Sequence, residues 1–355
     1  MRLFFALFAL TAVLFTSCEE SPVTPKQQRK KAPFTVSNPS DNAQLVVGDQ
    51  LEIRTNVVDG QELKQLQLFL GDSLLNEQKN VGIQAKYSLA TKDLNVGFHT
   101  IRIVGTDAEG EEFIVNRTIA LFSDIYPELK VAKIMRTYPH QTTSYTQGLE
   151  MYNGKLYEGT GQTGKSKLME IRLETGETIR SVDVPDYIFG EGITILNDEI
   201  FQITWEARKC FVYDVNSFEL KREFQYFGEG WGIANDGKHL IMSNGSSEVV
   251  FRDPKTFDIV RSIQIFGSNQ EYRAINELEY LNGFIYANVY QEDYVLKIDP
   301  ANGKVLEKID CGDVVREGKG SGDVLNGIAY NTKTGNFILT GKNWSKLFEV
   351  QFVNP

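Results

Sequence analysis

The sequence predicts an all-β protein in which an immunoglobulin-like β-sandwich precedes a five-bladed β-propeller. Three observations predict it. Apolar and polar residues alternate in short runs over residues 34–122, and a motif of constant style recurs every 40 to 50 residues from Gln147 onward. A strand-like segment, residues 130–138, stands before the first repeat, while the last repeat stops without an outer strand. Period two marks strands with one buried face, and the repeat length is that of a four-stranded blade.

Composition bounds the function. The 355 residues are 41% hydrophobic, 11% aromatic and 24% charged, globular values that exclude a disordered chain. A net charge of −10, with no basic block beyond residues 26–31, excludes nucleic acid as a partner, because displacing counterions needs clustered Lys and Arg. Three Cys and three His, scattered along the chain, supply neither a zinc site of recognisable spacing nor a disulfide framework.

Residues 1–17 read as a signal peptide: Met1-Arg2, an apolar run too short to span a bilayer, then Thr16-Ser17-Cys18. Cys18 after Ser17 resembles a lipobox, so Cys18 is the expected lipidation site and residues 18–33, rich in Glu, Pro, Lys and Gln, the flexible tether. A simple secretory peptide with an incidental Cys18 is the other reading. The expected location is the cell envelope of a Gram-negative bacterium, lipid-anchored and facing the periplasm or the cell surface.

Residues 34–122 carry the alternation in Leu51, Ile53, Thr55, Val57 and in Leu66, Leu68, Leu70. Val58-Asp59-Gly60, Gly71-Asp72 and Ala108-Glu109-Gly110 are expected to close hairpins. This is the predicted sandwich, with no constellation suited to chemistry; residues 123–128 form a linker.

Residues 129–355 form the predicted propeller. Repeats open at Gln147, Glu191, Trp231, Asn276 and Asn326, each usually followed by Gly and an aliphatic residue, at steps of 44, 40, 45 and 50. Residues 130–138 are expected to supply the last blade's outer strand and close the ring. Inner strands line a propeller channel, so the repeat starts converge on one axis. A second row, at the ends of the next strands, is Gly161, Trp205, Asn244, Tyr290 and Lys342, 13 to 16 residues further on. Both rows should meet at one mouth, joined by Tyr145 and Phe189 just upstream of the first two starts, in a mostly apolar pocket with few polar groups. Plainer roles stay open: Glu191 capping backbone amides, the two Trp packing the channel, Lys342 on the surface. Cys210 and Cys311 fall in different blades and should be buried free thiols.

The motifs resemble a known family. Tyr145-Thr146-Gln147-Gly148-Leu149, Phe189-Gly190-Glu191-Gly192-Ile193-Thr194, Glu229-Gly230-Trp231-Gly232, Asn276-Glu277-Leu278-Glu279, Ala287-Asn288-Val289-Tyr290, Leu325-Asn326-Gly327-Ile328-Ala329 and Thr340-Gly341-Lys342 resemble the blade motifs of the plant and bacterial glutamine cyclotransferases. The resemblance covers residues 129–355. It implies a zinc-independent enzyme without cofactor or metal, acting as a monomer on peptides or proteins with an N-terminal glutamine. It further implies Glu191 as acid and base, with Asn276 and Lys342 beside it in catalysis. Gln147, Tyr145, Phe189, Trp205, Trp231, Tyr290 and Asn326 would then bind the substrate. Tyr290 and Tyr145 stand where plant members have Trp and Phe.

The chemistry asks for such a set. The α-amine of an N-terminal glutamine attacks its own side-chain carbonyl, so the nucleophile is intramolecular and the enzyme holds a bent conformer. One carboxyl with a raised pKa carries the proton, and amide or ammonium donors steady the oxyanion. Two rivals remain at the level of sequence. One is a non-catalytic propeller lipoprotein binding an envelope ligand or protein; the other is a metal-dependent hydrolase, which needs several channel carboxylates or Asn around a cation, and Glu191 is the one acidic residue of the two rows.

Overall fold

A computed structural model describes residues 30–355; the expected signal segment, Cys18 and most of the tether lie outside the described residues. Residues 34–122 form two packed sheets. Phe34–Asn38, Gln50–Val57 and Gln84–Ala90 make an antiparallel sheet of three strands. Ala43–Val46, Glu112–Phe122, Gly97–Asp107, Leu63–Leu70 and Ser73–Val81, in that spatial order, make one of five, the first pair parallel. The alternation decides which side chains meet: Ile53, Thr55 and Ala85 of one sheet face Leu66, Leu68 and Ile103 of the other. Gly71-Asp72 and residues 108–110 close hairpins as expected. Residues 58–60 do not; they carry the chain from the three-stranded sheet to the five-stranded one. Alternation reports which face a strand buries and leaves its neighbour unspecified.

The rest is a ring of five four-stranded blades. Their inner strands are Thr146–Tyr152, Gly190–Leu196, Ile233–Asn235, Ile275–Leu281 and Leu325–Asn331, each touching the next and the last touching the first. The glycine that follows the repeat-opening residue has a steric cause. A Cβ on Gly148 would lie 2.5 Å from Ile193 N, one on Gly192 2.8 Å from Ile233 N, and one on Gly232 2.0 Å from Asn276 O. Only a residue without Cβ lets adjacent strands approach so closely at the axis. Blade four has Glu277 there, and its carboxylate uses the gap to accept hydrogen bonds from Leu149 N (3.0 Å) and Ile328 N (2.7 Å), tying three blades together.

Glu128–Pro139 closes the ring as expected, pairing antiparallel with Lys346–Val353 from Lys346↔Pro139 to Val353↔Val131. Its other edge adds a feature no pattern announces, a parallel pairing with Val305–Asp310 of blade four that merges blades four and five into one eight-stranded sheet. The short helix Gly312–Gly318, also unannounced, buries Val314 and Val315, and Gly318 packs against the fully buried Trp344. Cys210, in blade two, and Cys311, between the outer strand of blade four and the short helix, are buried free thiols.

The sandwich is docked on the ring. Phe266, just past the outer strand of blade three, is buried among Val47, Val96 and Leu121, with ring centroids 5.3 Å from Phe98 and 5.6 Å from Phe122. Ser123 N donates to Gly267 O, Phe98 N to Gln264 Oε1, and Lys304 reaches Asp124. The linker thus lies fixed against the propeller rim.

Candidate active site

The second-row residues Gly161, Trp205, Asn244, Tyr290 and Lys342 each directly follow the second strand of a blade, and the repeat starts open or flank the inner strands. Both rows therefore reach one mouth. There a cavity of about 280 Å³ is lined by Tyr145, Gln147, Phe189, Glu191, Trp205, Trp231, Asn276, Tyr290 and Lys342. All the expected site residues line it except Asn326, which sits one layer behind. Its side chain is buried and donates from Nδ2 to Gln147 Oε1 (3.1 Å) and Thr146 O (3.0 Å), so it reaches the cavity through Gln147. Gly161 makes room, since a Cβ there would lie 2.3 Å from the Phe189 ring, and Asn244 turns to accept from Ser246. A roomier hollow, about 540 Å³, opens between the loops around Asp59 and Gly82 of the sandwich. It brings together no buried acid and base, whereas the smaller one holds the buried Glu191 and Lys342.

Glu191 is 5% exposed and accepts at Oε1 from Gln147 Nε2, 2.9 Å away. Burial holds its carboxyl well above the usual carboxylate range; Lys342 pulls against this and Glu229 adds to it. Burial likewise lowers the Lys342 ammonium, with Glu191 and Asp323 opposing. The two groups are thereby brought toward each other in proton affinity. Lys342 Nζ lies 4.9 Å from the Tyr145 ring centroid and 5.2 Å from that of Tyr290, so two π faces support its charge. Tyr145 donates to Asp323 Oδ2 (3.4 Å), and burial pushes its phenol up to about 12. Asn276 is 2% exposed, and its Oδ1 is buried without a partner among the described residues. A buried acceptor of this kind is costly unless a ligand meets it.

The walls form a chain of edge-on aromatic contacts: Tyr145 to Phe189 at 6.2 Å, Phe189 to Trp205 at 5.7 Å, and Trp231 to Tyr290 at 5.7 Å. Sequence reasoning missed Glu229 and Asp323, which stand in inter-blade loops outside both rows. It also missed the brace beneath the site. Glu158, fully buried, accepts from Thr146 Oγ1 (2.6 Å), Ser144 Oγ and His140 Nε2, while His140 Nδ1 donates to Trp344 O (2.9 Å). Burial disfavours the imidazolium, but Glu158 and the Trp344 carbonyl outweigh it and raise the His140 pKa. The brace joins the segment bearing Tyr145 and Gln147 to the one bearing Lys342. Deeper along the axis, the buried Glu277 and the part-buried Glu150 and Glu279 have carboxyls raised chiefly by desolvation. Among the described residues no three His, Cys, Asp or Glu side chains are grouped to hold a metal ion.

The Arabidopsis thaliana glutaminyl-peptide cyclotransferase is 34% identical over 236 residues, 64% of this chain and 73% of that protein. The crystal structure of the Myxococcus xanthus glutaminyl cyclase superposes with a TM-score of 0.61 at 35% identity, covering 64% of this chain and 98% of that one. The family profile described as glutamine cyclotransferase matches residues 115–352, a span that holds all five blades but for the last residue of the final strand and every residue of the cavity, and the chain belongs to the glutamine cyclotransferase family.

Proposed function

We propose that the protein is a glutaminyl-peptide cyclotransferase, converting the N-terminal glutamine of peptides and proteins to pyroglutamate with release of ammonia. The observation that carries this is a buried carboxyl of raised pKa, Glu191, beside a buried ammonium of lowered pKa, Lys342, in an aromatic-walled cavity sized for one bent residue. The α-nitrogen bonds to the side-chain carbonyl carbon, and the proton it sheds passes to Glu191. Glu191 returns that proton to the departing amide nitrogen as its bond to carbon breaks, giving ammonia. A carboxyl raised toward neutrality serves both transfers. Lys342 faces the transient oxyanion, and Asn276 Oδ1 accepts an N–H of the substrate and turns the amine lone pair inward. Phe189, Trp205, Trp231, Tyr145 and Tyr290 shield the bent side chain from water, and Gln147, held by Asn326, orients Glu191.

Ammonia release from Gln-initiated peptides, assayed with a chelator present, tests the reading. Sustained release supports it, and none from a folded protein leaves the non-catalytic binding propeller. We further propose that residues 34–122 are an immunoglobulin-like module and that the chain acts as a monomer. Cys18 would be lipidated, placing the enzyme on the envelope of a Gram-negative bacterium, facing the periplasm or the cell surface. Metabolic acyl labelling of C18S beside the parent decides the anchor: equal labelling rejects it.

A further inference from the structure

The two halves of the aromatic wall end at two indoles, Trp205 beside Phe189 and Trp231 beside Tyr290. Both indole Nε1–H groups donate to a single atom, Glu229 Oε2, at 2.8 and 2.9 Å. Glu229 is itself exposed, in the loop between the outer strand of blade two and the inner strand of blade three. The pocket side of each indole is thus set by one carboxylate oxygen reaching in from solvent. Charge-assisted bonds of this kind are the stronger class, and one carboxylate oxygen has lone pairs for two donors. Trp231 is seated from below as well, on Gly245, where a Cβ would lie 2.5 Å from the indole; Trp205 has Glu229 as its polar anchor.

We propose that Glu229 is a positioning residue of the cyclotransferase site, holding Trp205 and Trp231 at one separation and so fixing the width of the slot that receives the folded glutamine side chain. The inference rests on the function proposed above. Glu229 acts on substrate through the indoles, and its charge also falls on Glu191, whose carboxyl it pushes upward.

The test compares E229A and E229Q with the parent on a Gln-initiated peptide, measuring kcat and KM across pH, melting temperature, and acrylamide quenching of tryptophan fluorescence. The chain has three Trp, and Trp344 is fully buried in blade five, so quenching reports on the two wall indoles. E229A, which removes the acceptor, should raise KM ~10-fold with kcat much less affected, and should make the indoles more quenchable at unchanged melting temperature. E229Q, whose amide oxygen still accepts both N–H groups, should keep KM and quenching near the parent while the pH limb that reports Glu191 moves to lower pH. Parental KM and quenching in E229A would overturn the proposal, as would a KM rise that E229Q shares with an unmoved pH limb. If the parent releases no ammonia the cyclotransferase reading falls by itself, and the quenching comparison still decides whether Glu229 holds the indoles.

Discussion

Gln147 donates from Nε2 to Glu191 Oε1 at 2.9 Å, and its carbonyl oxygen is already taken by Asn326 Nδ2 at 3.1 Å. The amide therefore has one orientation, with its N–H toward the carboxyl. A donor aimed at a carboxylate favours the charged form, so Gln147 restrains the rise in pKa that burial imposes on Glu191.

Gln147→Leu removes that restraint. The Glu191 limb of the kcat/KM profile should move to higher pH, and kcat/KM at neutral pH should fall ~10-fold, about the worth of a hydrogen bond to a charged group. A profile measured over pH 5 to 9 checks it, and an unmoved limb would reject the coupling.

Lys342→Met keeps the length of the side chain and removes its charge from between Tyr145 and Tyr290. Turnover should fall about 10²–10³-fold, the loss found when an oxyanion donor is deleted. Lys342→Arg should not rescue it, because a planar guanidinium does not fill the place of a compact ammonium. Recovery of full kcat in the Arg variant would show that only positive charge matters there.

Stability should fall as pH rises from 5 to 8. Burial pushes the Glu150 carboxyl up to about 7, against an ordinary 4.5. A carboxyl raised in the folded state contributes stability that is complete below its unfolded pKa and lost as pH climbs through the folded value. Glu191, Glu277 and Glu279 share this sign, and so does His140, raised from 6.5. Glu199, held down at about 2 by Arg222 first of all, has the opposite sign, but its contribution is already complete above pH 5. Thermal melts of Glu150→Gln and the parent should therefore converge at low pH and separate by several degrees at pH 8, the variant higher. The reverse order would contradict the assignment.

Phe266→Ala empties a contact shared by sandwich and ring and should cost about 3–5 kcal/mol, as core Phe truncations do. A chain of residues 125–355 keeps the closing strand and should retain activity at a lowered melting temperature. One starting at residue 140 loses Glu128–Pro139, the outer strand of blade five, and should fail to fold stably. Equal melting temperatures for the two truncated chains would show that closure does not need that strand.

Much of the site was legible because a propeller turns repeat position into location. Gln147, Glu191, Trp231 and Asn276 occupy equivalent places, and the glycine after three of them carries the steric requirement of the axis into the sequence. The closing strand was legible for the same reason, as a blade's missing part. Asn326 obeyed the repeat yet stands behind Gln147, while Asn276, with the same side chain, lines the cavity; the row fixes a backbone position, and the neighbouring side chain, here Gln147 bonded to Asn326, decides what reaches the cavity. Glu229, Asp323 and His140 lie in inter-blade segments that differ from blade to blade and leave no periodic trace. The role of Phe266 depends on a second domain meeting the ring, which neither pattern contains.

The central claim is that one buried carboxyl carries the proton, and Glu191→Gln tests it most directly. The variant keeps the shape and the contact to Gln147 but cannot exchange a proton. Steady-state kinetics on a Gln-initiated peptide, run beside thermal unfolding at pH 8, should show kcat lower by about 10²–10⁴-fold with KM little changed. The melting temperature should be no lower than that of the parent, because a carboxyl that resists ionisation has been removed. A well-folded Glu191→Gln protein with near-normal kcat would contradict the account and leave Lys342 as the group that moves the proton.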